Sequence, residues 1–191
     1  MRCLSVVEAA KILTADDYSV TSKSGRNSLV LRSDIASSQT RVETSPPVAS
    51  RLSDFAAALI RWHINDRERL VWVDSWNDLT PSPYAFVMAA RNGLGESRSL
   101  SDAPGHYFDA YPYHEQDQLA ISTPHAKELS LMVGFVAAMI INEWDGWLVA
   151  IDSTDRIEFW EGSILFYSSD REQLAAARSM NGRRVRRTTS K

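Results

Sequence analysis

His106, His114 and Glu115 bring two imidazoles and a carboxylate into one short stretch, with Asp102 and Asp109 beside them. Such a set could hold a divalent metal or act as an acid–base pair. Its spacing fits no zinc pattern of the His-Glu-x-x-His kind, and loop histidines are ordinarily exposed or hydrogen-bonded. Asn92-Gly93-Leu94-Gly95-Glu96-Ser97 lacks the Gly-Lys-Ser/Thr ending that a phosphate loop requires, so it reads as a turn. Serine, histidine and aspartate all occur, yet no Gly-x-Ser-x-Gly elbow presents a nucleophile. No catalytic residue, metal ligand or cofactor is assigned. A metal-dependent enzyme using the His106, His114 and Glu115 loop stands as an alternative reading.

Glu143-Trp144-Asp145-Gly146-Trp147 is the most distinctive short segment, two tryptophans around a turn that carries two acids. Glu158, Trp160 and Glu161 repeat the combination a little further on. Tryptophan is favoured where binding energy concentrates, and acids beside it could meet Arg or Lys of a partner. Glu143, Asp145, Trp147, Glu158, Trp160 and Glu161 are therefore the expected contact surface. The plainer reading has Trp144 and Trp147 packing the corner while Asp145 and Gly146 form the turn.

Charge divides along the chain. The net charge is −3, but residues 96–172 hold 14 Asp/Glu against 4 Lys/Arg, and residues 173–191 hold 6 Lys/Arg and no acid. An acidic body repels phosphates, which disfavours nucleic acid there, and it speeds encounter with a basic protein. Ordinary solubility charge has the same signature. The run Arg183-Arg184-Val185-Arg186-Arg187 is the one place where nucleic acid or an acidic surface could be met, although such ends are commonly solvated tails.

The elements that must position these residues can be read from periodicity. Residues 1–13 show apolar spacing for a short helix, with Ser5 placed to cap it. Tyr18–Thr21 and Ser28–Leu31 read as two strands about a turn. Residues 33–50, rich in Ser and Thr and holding Pro46-Pro47, read as a linker. Phe55, Ala56, Leu59, Ile60 and Trp62 form the stripe of an amphipathic helix. Leu70–Val73 reads as a buried strand that could join a sheet at its edge. Tyr84–Arg91 reads as a helix, and Leu94–Pro112 as a long loop. Pro124 opens a helix over about 125–143 that is apolar nearly all round, which suits the centre of a domain. Trp147–Asp152, Arg156–Trp160 and Ser163–Tyr167 follow with short connections, the pattern of an antiparallel meander. Asp170 is placed to cap a last helix.

The expected fold is α+β: a small antiparallel sheet, made of the C-terminal three-strand meander, packed on a central apolar helix. The expected organisation is an N-terminal helix and hairpin over 1–32, a linker over 33–50, the main domain over 51–180 and a basic disordered tail over 181–191. Hydrophobic residues at 44% of the 191 are enough for a core of that size. One cysteine, Cys3, excludes an internal disulfide framework. The start reaches Glu8 too soon for a signal peptide, and the longest apolar stretch, Leu129–Ile141, is too short for a membrane span. The expected location is the cytoplasm, with no membrane partner; oligomeric state is open.

One resemblance adds to this reading. Ala103-Pro104-Gly105-His106-Tyr107-Phe108, the apolar helix, Trp144-Asp145-Gly146-Trp147-Leu148-Val149 and Ser168-Ser169-Asp170 resemble small immunity-type proteins found beside secreted bacterial toxins. The likeness covers roughly residues 69–170. It implies a stoichiometric protein that masks a toxin's active site without catalysis or a cofactor, and a basic nuclease would suit an acidic inhibitor. The leading expectation is thus a non-catalytic binding protein with a basic protein partner. The alternatives are the metal-dependent enzyme above and a structural subunit of a larger assembly, in which the N-terminal piece and the basic tail would be docking arms.

Overall fold

The computed structural model describes residues 1–13, 18–23, 26–31, 40–62, 68–74, 81–93, 95–99, 102–108, 124–151, 153 and 155–180. The elements run β1 (Arg2–Leu4), α1 (Val6–Ile12), β2 (Tyr18–Lys23), β3 (Arg26–Leu31), β4 (Thr40–Thr44), a 3-10 turn (Ala49–Arg51), α2 (Leu52–Trp62), β5 (Arg69–Val73), α3 (Pro81–Asn92), β6 (Gly105–Phe108), α4 (Pro124–Ile141), β7 (Gly146–Ala150), β8 (Arg156–Trp160), β9 (Ser163–Ser168) and α5 (Arg171–Ser179). Seven strands form one sheet in the order β1-β6-β5-β7-β8-β9-β4, while β2 and β3 pair separately as a hairpin. Every strand pair is antiparallel. This is the α+β class expected, and the meander β7-β8-β9 is part of it.

Period-two alternation sends successive side chains to opposite faces, and here both faces find cover. Val71, Val73, Leu148, Ile157, Phe159, Ile164 and Phe166 point to one side, where α2, α4 and α5 complete the larger core. Met132, Phe135, Val136 and Met139 give α4 its buried face at the spacing of successive helical turns. Leu70, Trp72, Trp147, Val149, Leu165 and Tyr167 point to the other side, with Ala9 and Leu13 of α1 and Leu29 of β3 packed on them. Every residue of β5 and of β7 is consequently buried. A strand buried on both faces reads as a continuous apolar run. No helix among the described residues is long and apolar enough to cross a membrane.

Local capping signals act as their residue types require. Ser5 Oγ accepts from the Glu8 N–H at 3.2 Å and Glu8 Oε2 accepts from the Ser5 N–H at 2.7 Å, which closes a reciprocal capping box on α1. Asp170 Oδ1 accepts from the Glu172 N–H at 2.7 Å at the head of α5.

Several expectations are corrected. Among the described residues the sheet has seven strands, where the meander with one strand at its edge, about four in all, was expected. The stretch 33–50, expected as a linker, supplies β4, which pairs with β9. Residues 1–13 hold β1 before their helix, and the expected loop 94–112 holds β6, which lies between β1 and β5. The strand expected at an edge, β5, lies between β6 and β7. The N-terminal helix and hairpin pack on the sheet. The basic tail over 181–191 lies outside the described residues.

Candidate interaction surface

The second face of the sheet has two halves. Over β6, β5 and β7 lie α1 and the hairpin. Over β8, β9 and β4 the side chains that line up are Glu158, Trp160, Ser163, Arg41 and Glu43. Register fixes their order: Trp72 opposes Trp147, Trp147 opposes Glu158, Glu158 opposes Leu165, and Leu165 opposes Glu43. Trp160 opposes Ser163, whose Oγ donates to Glu43 Oε1 at 3.0 Å. The Trp160 indole is 49% exposed.

Two backbone corners hold acids at the rim of this half. Helix α4 ends with the Trp144 N–H bonded to the Met139 carbonyl and the Glu143 N–H bonded to the Ile140 carbonyl. That pair is the Schellman ending, and Glu143 takes its left-handed position with φ 52. The β8–β9 connection is the two residues Glu161 and Gly162, with φ 49 and 74. Positive φ at both central residues is what a tight antiparallel hairpin needs, and Gly or Asn is the usual occupant. The corners adjoin, since a Cβ added at Gly162 would lie 3.5 Å from Glu143 Cδ. Asp145 ties them to the sheet: its Oδ1 accepts from the Glu161 N–H at 2.9 Å and its carbonyl accepts from the Asp74 N–H at 2.8 Å.

Carboxylates are crowded here. Burial first, then repulsion by Asp145 and Glu158, pushes Asp74 up to about 7 against the pull of its hydrogen bonds. Burial first, then Asp145, also raises Glu158, although the Tyr167 hydroxyl donates to Glu158 Oε2 at 2.6 Å and Arg41 acts the other way. Tyr167 in turn is held up to about 12 by burial and by Glu158. Asp74 and Glu158 are thus both raised chiefly by burial, with Asp145 adding to each.

The six expected contact residues do not stay together. Asp145, Trp160 and Glu161 lie at one end of the sheet, with Glu143 beside them on the helix side and Glu158 two residues further along β8. Trp147 does not belong with them. It is 3% exposed, its Nε1–H donates to the Leu29 carbonyl at 2.7 Å, and its ring meets Tyr18 edge-on at 5.6 Å. Its strand neighbour in the motif, Trp144, is buried in the opposite, helix-side core. The two tryptophans pack the corner from both faces. Asp74 and Tyr167 lie behind these acids, Tyr167 buried and Asp74 partly so, and Glu43 is exposed beside them; no sequence signal marks them, since an acid after an apolar strand reads as an ordinary turn residue.

The histidine set has a different fate. His106 is fully buried, its Nε2 lies 3.1 Å from Arg91 Nη1, and its ring packs at 4.6 Å on Phe135. Arginine can only donate, so Nε2 is the acceptor and the ring is neutral. Burial, then the Arg91 charge, lowers His106 to about 3. The same guanidinium donates to the carbonyls of Ala103, Arg98 and Ser99, and so holds these three residues around itself. His106 is thus a core residue placed beside a structural arginine. Asp102 is exposed and bonded to Ser99, while Asp109, His114 and Glu115 lie outside the described residues. Among the described residues no group of three His, Cys, Asp or Glu side chains is set to hold a metal. A recess between Pro46, Glu143, Trp144 and Gly162 is water-sized, against roughly 300–1,000 Å³ for a small-molecule site.

No protein-family model, curated protein or solved structure matches the chain.

Proposed function

We propose that this chain is a non-catalytic binding protein that meets a basic protein partner through Glu143, Asp145, Glu158, Trp160 and Glu161. The observation that carries this reading is the crowding of Asp145 and Glu158, with Asp74 behind them, beside a half-exposed Trp160. A cation relieves buried carboxylates that stand beside another acid, as Asp74 and Glu158 stand beside Asp145, so Lys or Arg of a partner gains more here than beside a solvated acid. An exposed indole offers the flat apolar anchor that such a contact needs, and it can also stack on a guanidinium. Left-handed Glu143 and Glu161 support the same reading, because the chain holds acids where Gly or Asn would be less strained. An immunity-type inhibitor that masks a basic toxin or nuclease is the form of this function that the sequence resemblance implies.

The test is affinity capture from host lysate followed by titration with the purified partner. A single basic protein at one-to-one stoichiometry is expected, released by raised salt and lost when Trp160→Ala and Glu161→Lys are combined. A partner that binds this double variant as tightly as the parent would place the contact elsewhere and remove this reading.

A further inference from the structure

The hairpin β2–β3 is attached to the sheet in an unusual way. Among the described residues it forms no strand pair with the main sheet. Instead one residue, Leu29, is gripped from both sides. Its N–H donates to Asp74 Oδ1 at 3.1 Å, and its carbonyl accepts from Trp147 Nε1–H at 2.7 Å. Asp74 Oδ1 also accepts from Trp72 Nε1–H at 2.6 Å, so a single oxygen joins the hairpin to the tryptophan beneath it. Below the hairpin Trp72 is 0% exposed and Trp147 3% exposed. An isolated two-stranded hairpin is marginal by itself, so its order depends on this attachment.

We propose that hairpin β2–β3 is a flap over Trp72 and Trp147, latched at Leu29, and that the proton on Asp74 sets the latch. Closure buries the Asp74 carboxyl beside two other acids. Asp145 reaches it from the start of β7 and Glu158 from β8. The cations nearby act on other groups: Arg41 on Glu158 and Tyr167, and Arg156 over the Tyr18 ring at 4.9 Å. The closed flap accordingly favours the neutral acid, in line with the elevation of Asp74 to about 7. Lifting the flap returns the carboxyl to water, which moves it back toward the ordinary aspartate value of about 4, while Asp145 and Glu158 stay beside it on the sheet. Between those two values closure takes up one proton. Rising pH therefore weakens the latch across that window, and above about 7 the effect levels off because both states are ionised. The inference concerns the N-terminal cover and meets the proposed contact surface only through Asp145 and Glu158, whose charges help to raise Asp74, so it is tested on the chain without a partner.

The experiment is amide hydrogen exchange at Leu29 on the full chain, corrected for the intrinsic pH dependence of exchange, with Trp fluorescence followed in parallel. One-proton linkage predicts that protection of Leu29 falls by up to about tenfold per pH unit between about pH 5 and about 7, then holds steady. Amides of β8 and β9 should not follow. Asp74→Asn keeps an oxygen acceptor and cannot ionise, so its Leu29 protection should stay high and lose the pH dependence. Asp74→Ala removes the acceptor and should leave Leu29 weakly protected at every pH. Should Leu29 protection prove flat with pH in the parent, or should Asp74→Asn retain the parent's slope, the latch is not Asp74 and the proposal fails.

Discussion

The two halves of one sheet face are covered differently. Over β5 and β7 the face carries Leu70, Trp72, Trp147 and Val149, and α1 and the hairpin bury them. Over β8 and β4 the same face carries Glu158, Trp160 and Glu43, and Trp160 keeps half its surface in water. Strand direction, pleat and register are shared; the side chains differ. A tryptophan with its N–H bonded to a neighbouring carbonyl, as Trp147 has, is a packing residue. A tryptophan at the end of an acidic strand beside a tight turn is available for something else. Residue type alone does not separate binding from packing; the layer laid over it does.

The covered half should break hardest. Gly146 opens β7 where a Cβ would stand 2.0 Å from the Trp72 carbonyl oxygen, which no side-chain adjustment relieves. Gly146→Ala should force β5 and β7 apart and cost about 4 kcal/mol or more, read as a collapse of the denaturant midpoint or as failure to fold. A midpoint within measurement error of the parent would mean that the two strands do not meet as closely as described. Trp147→Ala should come next, at about 3–5 kcal/mol, because it opens a cavity and leaves the Leu29 carbonyl without its donor. Under conditions where that variant is still folded, affinity for the basic partner should match the parent. A loss of affinity without a loss of stability would move Trp147 back to the contact surface.

The open half predicts the reverse. Trp160→Ala removes a half-exposed ring from the end of a strand and should change stability by no more than about 1 kcal/mol. Its cost should appear in partner binding, at about 2 kcal/mol or more if the indole is an anchor, by titration calorimetry. Equal losses in both measurements would erase the distinction between the halves.

What could be read ahead of the structure was what depends on near neighbours. The Ser5 cap, the α4 stripe, the hairpin β2–β3 and the meander β7-β8-β9 all rest on residues a few positions apart, and each formed. The short strands β1, β4 and β6 did not announce themselves. Arg2-Cys3-Leu4 and Gly105-His106-Tyr107-Phe108 are too brief to show a period, and what makes them strands is each other's backbone, about a hundred positions away. Thr40–Thr44 has a plainer excuse: its Ser/Thr-rich surroundings look like a linker, and the edge of β9, with the core that receives Val42, orders it. The site divides in the same way. Glu158, Trp160 and Glu161 sit on one hairpin and were legible together. Asp74 was not, because Leu29, Asp145 and Glu158, which act on it, lie far from it in the chain. Trp147 was misjudged since a strand buried on both faces gives no outward direction to read.

The smallest effects are the most discriminating, because the two measurements should move in opposite directions. Glu143 and Glu161 hold left-handed backbone at φ 52 and 49, where a side chain beyond Asn or Gly costs about 1–2 kcal/mol. If these positions existed for the fold alone, Gly at the helix end and Asn in the turn would serve it better. Glu143→Gly and Glu161→Asn should therefore each raise stability by about 1 kcal/mol. Both remove a rim carboxylate, so partner affinity should fall, by about 0.5–1 kcal/mol each at low ionic strength and less as salt is added. Stability gained together with affinity lost would show that strain is retained at these corners for the contact. Stability gained with affinity unchanged would leave Trp160 and Glu158 as the surface and make the two corner acids incidental to it.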